Sequence, residues 1–187
     1  MIGEGGYRAL ERGDLISAFN EFSLAENSTD SPLERSRMMI NQGALLLAMG
    51  KYSLAVEELL RAKALLKSAE PSGQLMAVTC LNIAKAMIAV GRVENAESEL
   101  RCAEGIVGQD DPHAVYVKAL IYFYRGNEEK LENIKESGMQ EPYGRLIRLL
   151  KLRIKADRGE GIDIMSYKEA LKDAVPQNSL RDALGLV

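Results

Sequence analysis

Apolar residues recur along most of the chain with the spacing of amphipathic helices, and short polar breaks separate the periodic stretches. The stretch from Asn41 to Ala62, NQGALLLAMGKYSLAVEELLRA, shows this period on both sides of Gly50. All 5 prolines fall between periodic stretches, at places where helices begin. Alternating runs typical of strands are scarce. The pattern therefore predicts an all-α fold.

Small residues recur at fixed distances from three glycines. Counted from Gly50, positions five, nine and twelve hold Ala55, Leu59 and Ala62. Two further glycines, Gly13 and Gly91, are followed at the same offsets by the same kinds of residue: Ala18, Phe22 and Ala25, then Ala96, Leu100 and Ala103. A small side chain where two helices cross lets their backbones approach closely. The repeat predicts a solenoid of helical hairpins.

This pattern resembles the tetratricopeptide repeat (TPR), whose units are antiparallel helix pairs with small residues at the crossing. Gly43 matches the small residue of the family's first helix, and Gly50, Lys51 and Tyr52 match its turn. The segments 41–43 (NQG) and 82–84 (NIA) match the family's Asn-Leu-Gly segment. The resemblance covers roughly residues 7 to 105 and weakens after them. It implies an α-α superhelix of antiparallel hairpins.

The length and composition indicate one domain spanning residues 1–187, since 47% of the residues are apolar and can form a sizeable core. The predicted hairpins are 2–26, 33–68, 73–107, 112–138 and 142–174, followed by a terminal helix at 179–185. We expect the terminal segment, NSLRDALGLV, to cap the exposed apolar side of the fifth hairpin. Insertion into the groove of another copy and a free end are the alternatives.

The net charge and the amino-terminal sequence argue against nucleic-acid-binding, membrane and secreted proteins. A net charge of -3 argues against binding of nucleic acid or of an anionic membrane, because both need a surplus of Lys and Arg. The amino-terminal MIGEGGYRAL lacks the features of a secretory signal, and no window has the length of a membrane span. The 2 cysteines fit reduced thiols, so we expect a cytoplasmic protein.

Few side chains with catalytic chemistry are available. With 1 histidine, 2 cysteines and no phosphate-binding loop, HExxH or CxxC motif, we expect no enzyme, no cofactor and no metal site. His113 follows a capping Asp and a Pro, which predicts an exposed position in a first helical turn. Cys80 and Cys102 each lie eleven residues from Gly91, so they can meet across a hairpin or simply be two buried apolar residues.

A basic stripe runs along the helix predicted in the fifth hairpin. It is formed by Arg148, Lys151, Lys155 and Arg158, with leucine and isoleucine toward the opposite side. The stripe is either a solvated helix face or a surface that binds an acidic partner.

The resemblance implies a non-enzymatic scaffold that binds a peptide or an amphipathic helix of a protein partner in its inner groove. The alternative is a structural assembly subunit, with the groove filled by its own carboxyl terminus or by a second copy in a homodimer. Carrying the family's inner surface across predicts these peptide-binding residues: Arg37, Ile40, Asn41, Ala44, Leu47, Leu81, Asn82, Lys85, Ile88, Tyr116, Leu120 and Phe123. Asn41 and Asn82 either bind a peptide backbone or satisfy groups of neighbouring helices.

Overall fold

The computed structural model describes residues 3–69, 73–140 and 142–161. Within these ranges the chain forms nine α helices and no strand: α1 Glu4–Glu11, α2 Leu15–Asn27, α3 Pro32–Ala48, α4 Tyr52–Ser68, α5 Gly73–Ala89, α6 Val93–Val107, α7 Pro112–Tyr124, α8 Glu128–Glu132 and α9 Tyr143–Asp157. The predicted all-α class is confirmed. The predicted terminal helix at 179–185 and the end of the fifth predicted hairpin lie outside the described residues.

Each helix packs against the next one in the chain, from α1 through α9. A second set of contacts joins alternate helices, because α3 also touches α5, α5 touches α7, and α7 touches α9. We call these four helices, which contact one another in series, the odd-helix layer. No helix within the described ranges is long and apolar enough to cross a bilayer.

Side-chain caps and glycines set the limits of the helices. The Ser31 hydroxyl accepts a hydrogen bond from the Glu34 amide at 3.4 Å, and Pro32 occupies the first turn of α3, as the sequence predicts. At the other end Gly50 adopts a left-handed φ of 72°, and the Lys51 amide donates back to the Leu46 carbonyl at 2.8 Å. The other repeat glycines have the same left-handed backbone: Gly13, Gly91 and Gly126. They end helices where an ordinary side chain would be strained.

The alanines of the repeat lie on the packed sides of the helices, and all of them except Ala25 are buried. Five of them are fully inaccessible to solvent: Ala18, Ala55, Ala62, Ala96 and Ala103. The helices also approach closely at Gly43, where an added Cβ would lie 2.5 Å from Leu59 Cγ. Leu59 itself is 0% exposed and therefore has no solvent to move into. The small residue at position 43 thus allows α3 and α4 to pack at their present distance.

Replacing Gly43 with alanine should lower the free energy of unfolding by about 1 to 3 kcal/mol, because the new methyl group overlaps the Leu59 side chain. Gly105→Ala is a matched control. Gly105 lies inside α6, and a Cβ there would meet no atom within 4 Å. It should raise the free energy of unfolding by up to about 1 kcal/mol, through helix propensity. Urea unfolding followed by circular dichroism measures both, and equal effects would contradict the assigned crossing.

Candidate functional site

The twelve predicted peptide-binding residues lie on α3, α5 and α7 and fall into two groups by burial. Six are buried in the packed helices: Ile40, Asn41, Ala44, Leu81, Asn82 and Ile88. Six keep part of their surface exposed: Arg37, Leu47, Lys85, Tyr116, Leu120 and Phe123. The buried residues have little surface to offer a ligand while the helices stay packed. The peptide-binding role of the set remains a prediction.

Asn41 makes a hydrogen bond within the fold. Its side-chain amide donates to the Tyr7 hydroxyl at 3.0 Å and so links α3 to α1. The Tyr7 ring in turn meets Phe22 edge-on, with ring centroids 5.1 Å apart. Of the two interpretations of Asn41, the structure therefore shows the bond to a neighbouring helix. This contact adds to the packing of α1 against α2.

His113 is buried, so the prediction that it is exposed is wrong. Only 7% of its surface is accessible, because α9 packs across the first turn of α7. The Tyr143 ring stacks on the imidazole with centroids 5.1 Å apart and an angle of 16° between the rings. Tyr116 lies 6.0 Å from the same Tyr143 ring. The result is an aromatic cluster at the junction of α7 and α9.

The imidazole of His113 has an unused hydrogen-bonding atom, since Nε2 is buried and has no partner. Burial, and secondarily the nearby charge of Lys85, hold the pKa of His113 well below its usual range. His113 is therefore neutral at pH 7. Burial, and then Tyr124, raise the pKa of Tyr116 to about 12, so the phenol also stays protonated. Both rings are neutral polar groups in a largely apolar setting.

Lys85 reaches this cluster from α5, one turn beyond Leu81. Burial lowers the pKa of Lys85 from its ordinary value of 10.5 to about 7. Every other lysine of the described chain that is buried or partly buried has an acidic partner. Each of the other three has a glutamate oxygen within 2.8 Å: Lys63 with Glu99 (2.5 Å), Lys118 with Glu104 (2.6 Å) and Lys151 with Glu136 (2.8 Å). Among the described residues, Lys85 has no ion-pair or hydrogen-bond partner.

A cavity of about 190 Å³ lies beside the cluster, between α5, α7 and the start of α9. His113 and Tyr143 form part of its wall, with Leu81 and Val78 opposite them on α5. Among the described residues, Asp111 is the one acidic residue of the wall, and its carboxylate accepts a hydrogen bond from the Ala114 amide at 3.0 Å. The cavity has room for one side chain of a ligand or for a few water molecules. In the described part of the chain no group of His, Cys, Asp and Glu side chains is placed to hold a metal ion.

The four residues of the predicted basic stripe differ in their exposure to solvent. Arg148, Lys155 and Arg158 are exposed, whereas Lys151 is only 9% accessible. The Lys151 ammonium donates to the Ile134 carbonyl at 2.6 Å and pairs with Glu136 at 2.8 Å. Lys151 therefore holds the segment after α8 against α9. The prediction that it belongs to a solvated or partner-gripping face is wrong.

Nothing in the repeat pattern pointed to His113 and Tyr143 as neighbours. Tyr143 opens the fifth predicted hairpin, where the resemblance to the family has faded. Its stacking on His113 depends on how α9 crosses α7, which is a tertiary arrangement. The one available signal was the position of both residues in the first turn of a helix that follows a proline.

Replacing Lys85 with methionine should stabilise the protein at neutral pH. The unfolded chain keeps the proton of Lys85 up to about its ordinary pKa of 10.5, whereas the folded protein loses it near pH 7. The buried ammonium therefore lowers the free energy of unfolding at pH 7 and below, and this penalty disappears as the pH rises to 10.5. We expect Lys85→Met to raise the free energy of unfolding by about 1 to 3 kcal/mol at pH 7.

Thermal unfolding at pH 7 and at pH 10 tests this expectation. The gain from Lys85→Met should shrink at the higher pH, because the cost of removing the proton of Lys85 on folding falls as the pH approaches the ordinary pKa of 10.5. Lys67→Met changes an exposed lysine on α4 and serves as the control. A gain of equal size at both pH values would show that the methionine acts through packing alone.

Comparison with protein-family models, with curated protein sequences and with solved structures gave no match. The resemblance to tetratricopeptide repeats therefore rests on the sequence pattern over roughly residues 7 to 105. The structure establishes the all-α fold, whereas the superhelical arrangement and the function remain predictions.

Proposed function

We propose that this protein is a non-enzymatic scaffold that binds a peptide or an amphipathic helix of a protein partner on the odd-helix layer. The observation that carries the proposal is Lys85, a partly buried lysine that has no acidic partner among the described residues and whose pKa is lowered by burial to about 7. We infer that the partner supplies a carboxylate at this point. The alternating helices would form the inner side of a superhelix, as the family resemblance implies.

The energetic reasoning starts from the cost of a desolvated ammonium. Taking a charge out of water without a counter-ion is unfavourable, and the lowered pKa of Lys85 expresses that cost. A carboxylate that reaches the amine restores its proton and forms a charge-assisted hydrogen bond. Because the site is partly shielded from solvent, such a bond contributes more than an ion pair on an open surface. Lys85 is therefore suited to anchor an acidic group.

The neutral rings beside Lys85 suit the same ligand. The Tyr116 hydroxyl stays protonated at neutral pH and can donate a hydrogen bond to a carboxylate oxygen. His113 offers an unpartnered ring nitrogen. No acidic residue contributes to the pKa shifts of Lys85, His113 or Tyr116. Among the described residues, the nearest acidic group to the cluster is therefore Asp111 in the cavity wall, whose carboxylate accepts the hydrogen bond from the Ala114 amide.

Apolar contacts would supply the remaining affinity. Leu120 and Phe123 continue along α7 from Tyr116 with part of their surface exposed, and Leu47 does so on α3. A helix with an apolar face and one acidic residue would match this combination of surfaces. Protein interfaces commonly have an apolar centre and a few polar groups that form directional hydrogen bonds.

A peptide array tests the proposal directly. Short amphipathic helical peptides are synthesised in pairs, with one Glu or with Gln at the same position, and probed with the labelled full-length protein. We expect selection of Glu-containing members. Lys85→Gln should weaken their binding by about tenfold, equivalent to ~1.4 kcal/mol, and leave the Gln-containing members unaffected. Lys67→Gln, on the exposed part of α4, should bind as the wild type does.

Binding should also depend on pH in a defined direction. The amine of Lys85 in the free protein loses its proton near pH 7, whereas a glutamate on the peptide stays ionised above that value. The affinity for Glu-containing peptides should therefore fall between pH 6 and pH 9, and the Lys85→Gln variant should show no such fall. Fluorescence anisotropy of one selected peptide measures both. No preference for Glu over Gln, or a preference that survives in Lys85→Gln, would refute the role of Lys85.

A further inference from the structure

Two thiols meet between the arms of the α5–α6 hairpin. Cys80 on α5 and Cys102 on α6 are free cysteines whose sulfur atoms lie 2.9 Å apart. The sequence allowed this contact without requiring it, and the structure shows that it forms. A disulfide needs sulfur atoms about 2 Å apart, so small side-chain movements would close the bond. Neither residue takes part in the proposed recognition of an acidic peptide.

The two thiols differ in their access to solvent. Cys80 is 0% exposed, while Cys102 keeps part of its surface accessible. A small reagent can therefore reach Cys102 first, with the Cys80 sulfur in contact behind it. Burial, and then the hydrogen bond with Cys102, raise the pKa of Cys80. Cys80 is therefore the shielded, protonated thiol of the pair.

A lysine from the neighbouring helix lies beside this pair. Lys63 of α4 interacts electrostatically with both sulfur atoms, and its ammonium pairs with Glu99 of α6 at 2.5 Å. A nearby positive charge favours the thiolate, which is the nucleophilic form of cysteine. Glu99 opposes this effect on Cys80, since its charge raises the pKa of that thiol. The ion pair fixes the ammonium next to the sulfurs in a partly shielded position.

We propose that Cys80 and Cys102 form a redox-modification site that closes to an intramolecular disulfide when the protein meets a small-molecule disulfide. Cys102 is the attacking residue, and Cys80 is the resolving residue. The arrangement of one accessible thiol, one buried thiol in contact with it and one fixed cation is what such a pair requires. The site is independent of the proposed function.

Glutathione disulfide can serve as the oxidant that forms this disulfide. The Cys102 thiolate attacks one sulfur of glutathione disulfide, the oxidant's S–S bond breaks, and one glutathione thiolate leaves and takes up a proton. Cys80 then loses its proton to solvent and attacks Cys102 Sγ in the mixed disulfide. The second glutathione leaves as a thiol. The protein gives up two electrons, and the oxidant is reduced to two thiols.

The test exposes the reduced full-length protein to glutathione disulfide and follows its intact mass and its peptide map without reductant. The wild type should lose the mass of two hydrogen atoms, retain no glutathione and yield one peptide pair linked through Cys80 and Cys102. The Cys80→Ala variant should stop at a mixed disulfide on Cys102, because the resolving thiol is missing. The Cys102→Ala variant should leave Cys80 unmodified while the protein is folded.

Thermal unfolding gives a second readout. A covalent link across the hairpin restricts the unfolded chain, so the oxidised wild type should melt at a higher temperature than the reduced protein. Oxidant should produce no such increase in Cys80→Ala, and circular dichroism checks that both variants fold. Wild-type protein that keeps both thiols or accumulates the mixed disulfide would overturn the proposal. Modification of Cys80 in folded Cys102→Ala would overturn the assigned order.

Discussion

The close approach of neighbouring helices, made possible by small residues where they cross, determines the rest of this structure. Gly43 gives Leu59 the space it occupies, and Ala62 is fully buried on the same helix, α4. With α3 and α4 packed at this distance, α5 fits against both of them and also meets α6 and α7. A helix with four neighbours is largely removed from water. Lys85 is poorly solvated because it belongs to that helix.

Most of the fold follows from local rules that the sequence displays. The repeat of glycine and alanine marks the turns and the crossings, and the structure gives Gly50 and Gly91 the left-handed backbone that ends a helix. The glycine at position 6 of α1 also has a physical reason, since a Cβ there would lie 2.5 Å from the Phe22 ring. Glycine there lets α1 lie against that ring. These features are predictable because each depends on residues close in the chain or on one repeated contact.

The candidate site was less predictable, because it depends on contacts between helices with no shared repeat. Burial of His113 results from the position of α9, and the burial of Lys151 results from carbonyl groups in the irregular segment after α8. The sequence does place Lys85 on the correct helix and on the family's inner face. It cannot show that Lys85 lacks the glutamate that Lys63 and Lys118 each have. Pairing of charges between helices is decided by tertiary geometry.

The contact pattern of the helices also bears on how the chain folds. Substantial contacts join helices that are adjacent in the chain or two apart, so each one closes only a short loop. Loops of that size form quickly, and structure can begin at any hairpin and spread to its neighbours. Stability is then highest in the middle and declines toward the ends. Amide hydrogens of α5 should exchange last, whereas α1, held by α2 and by the bond between Tyr7 and Asn41, opens early.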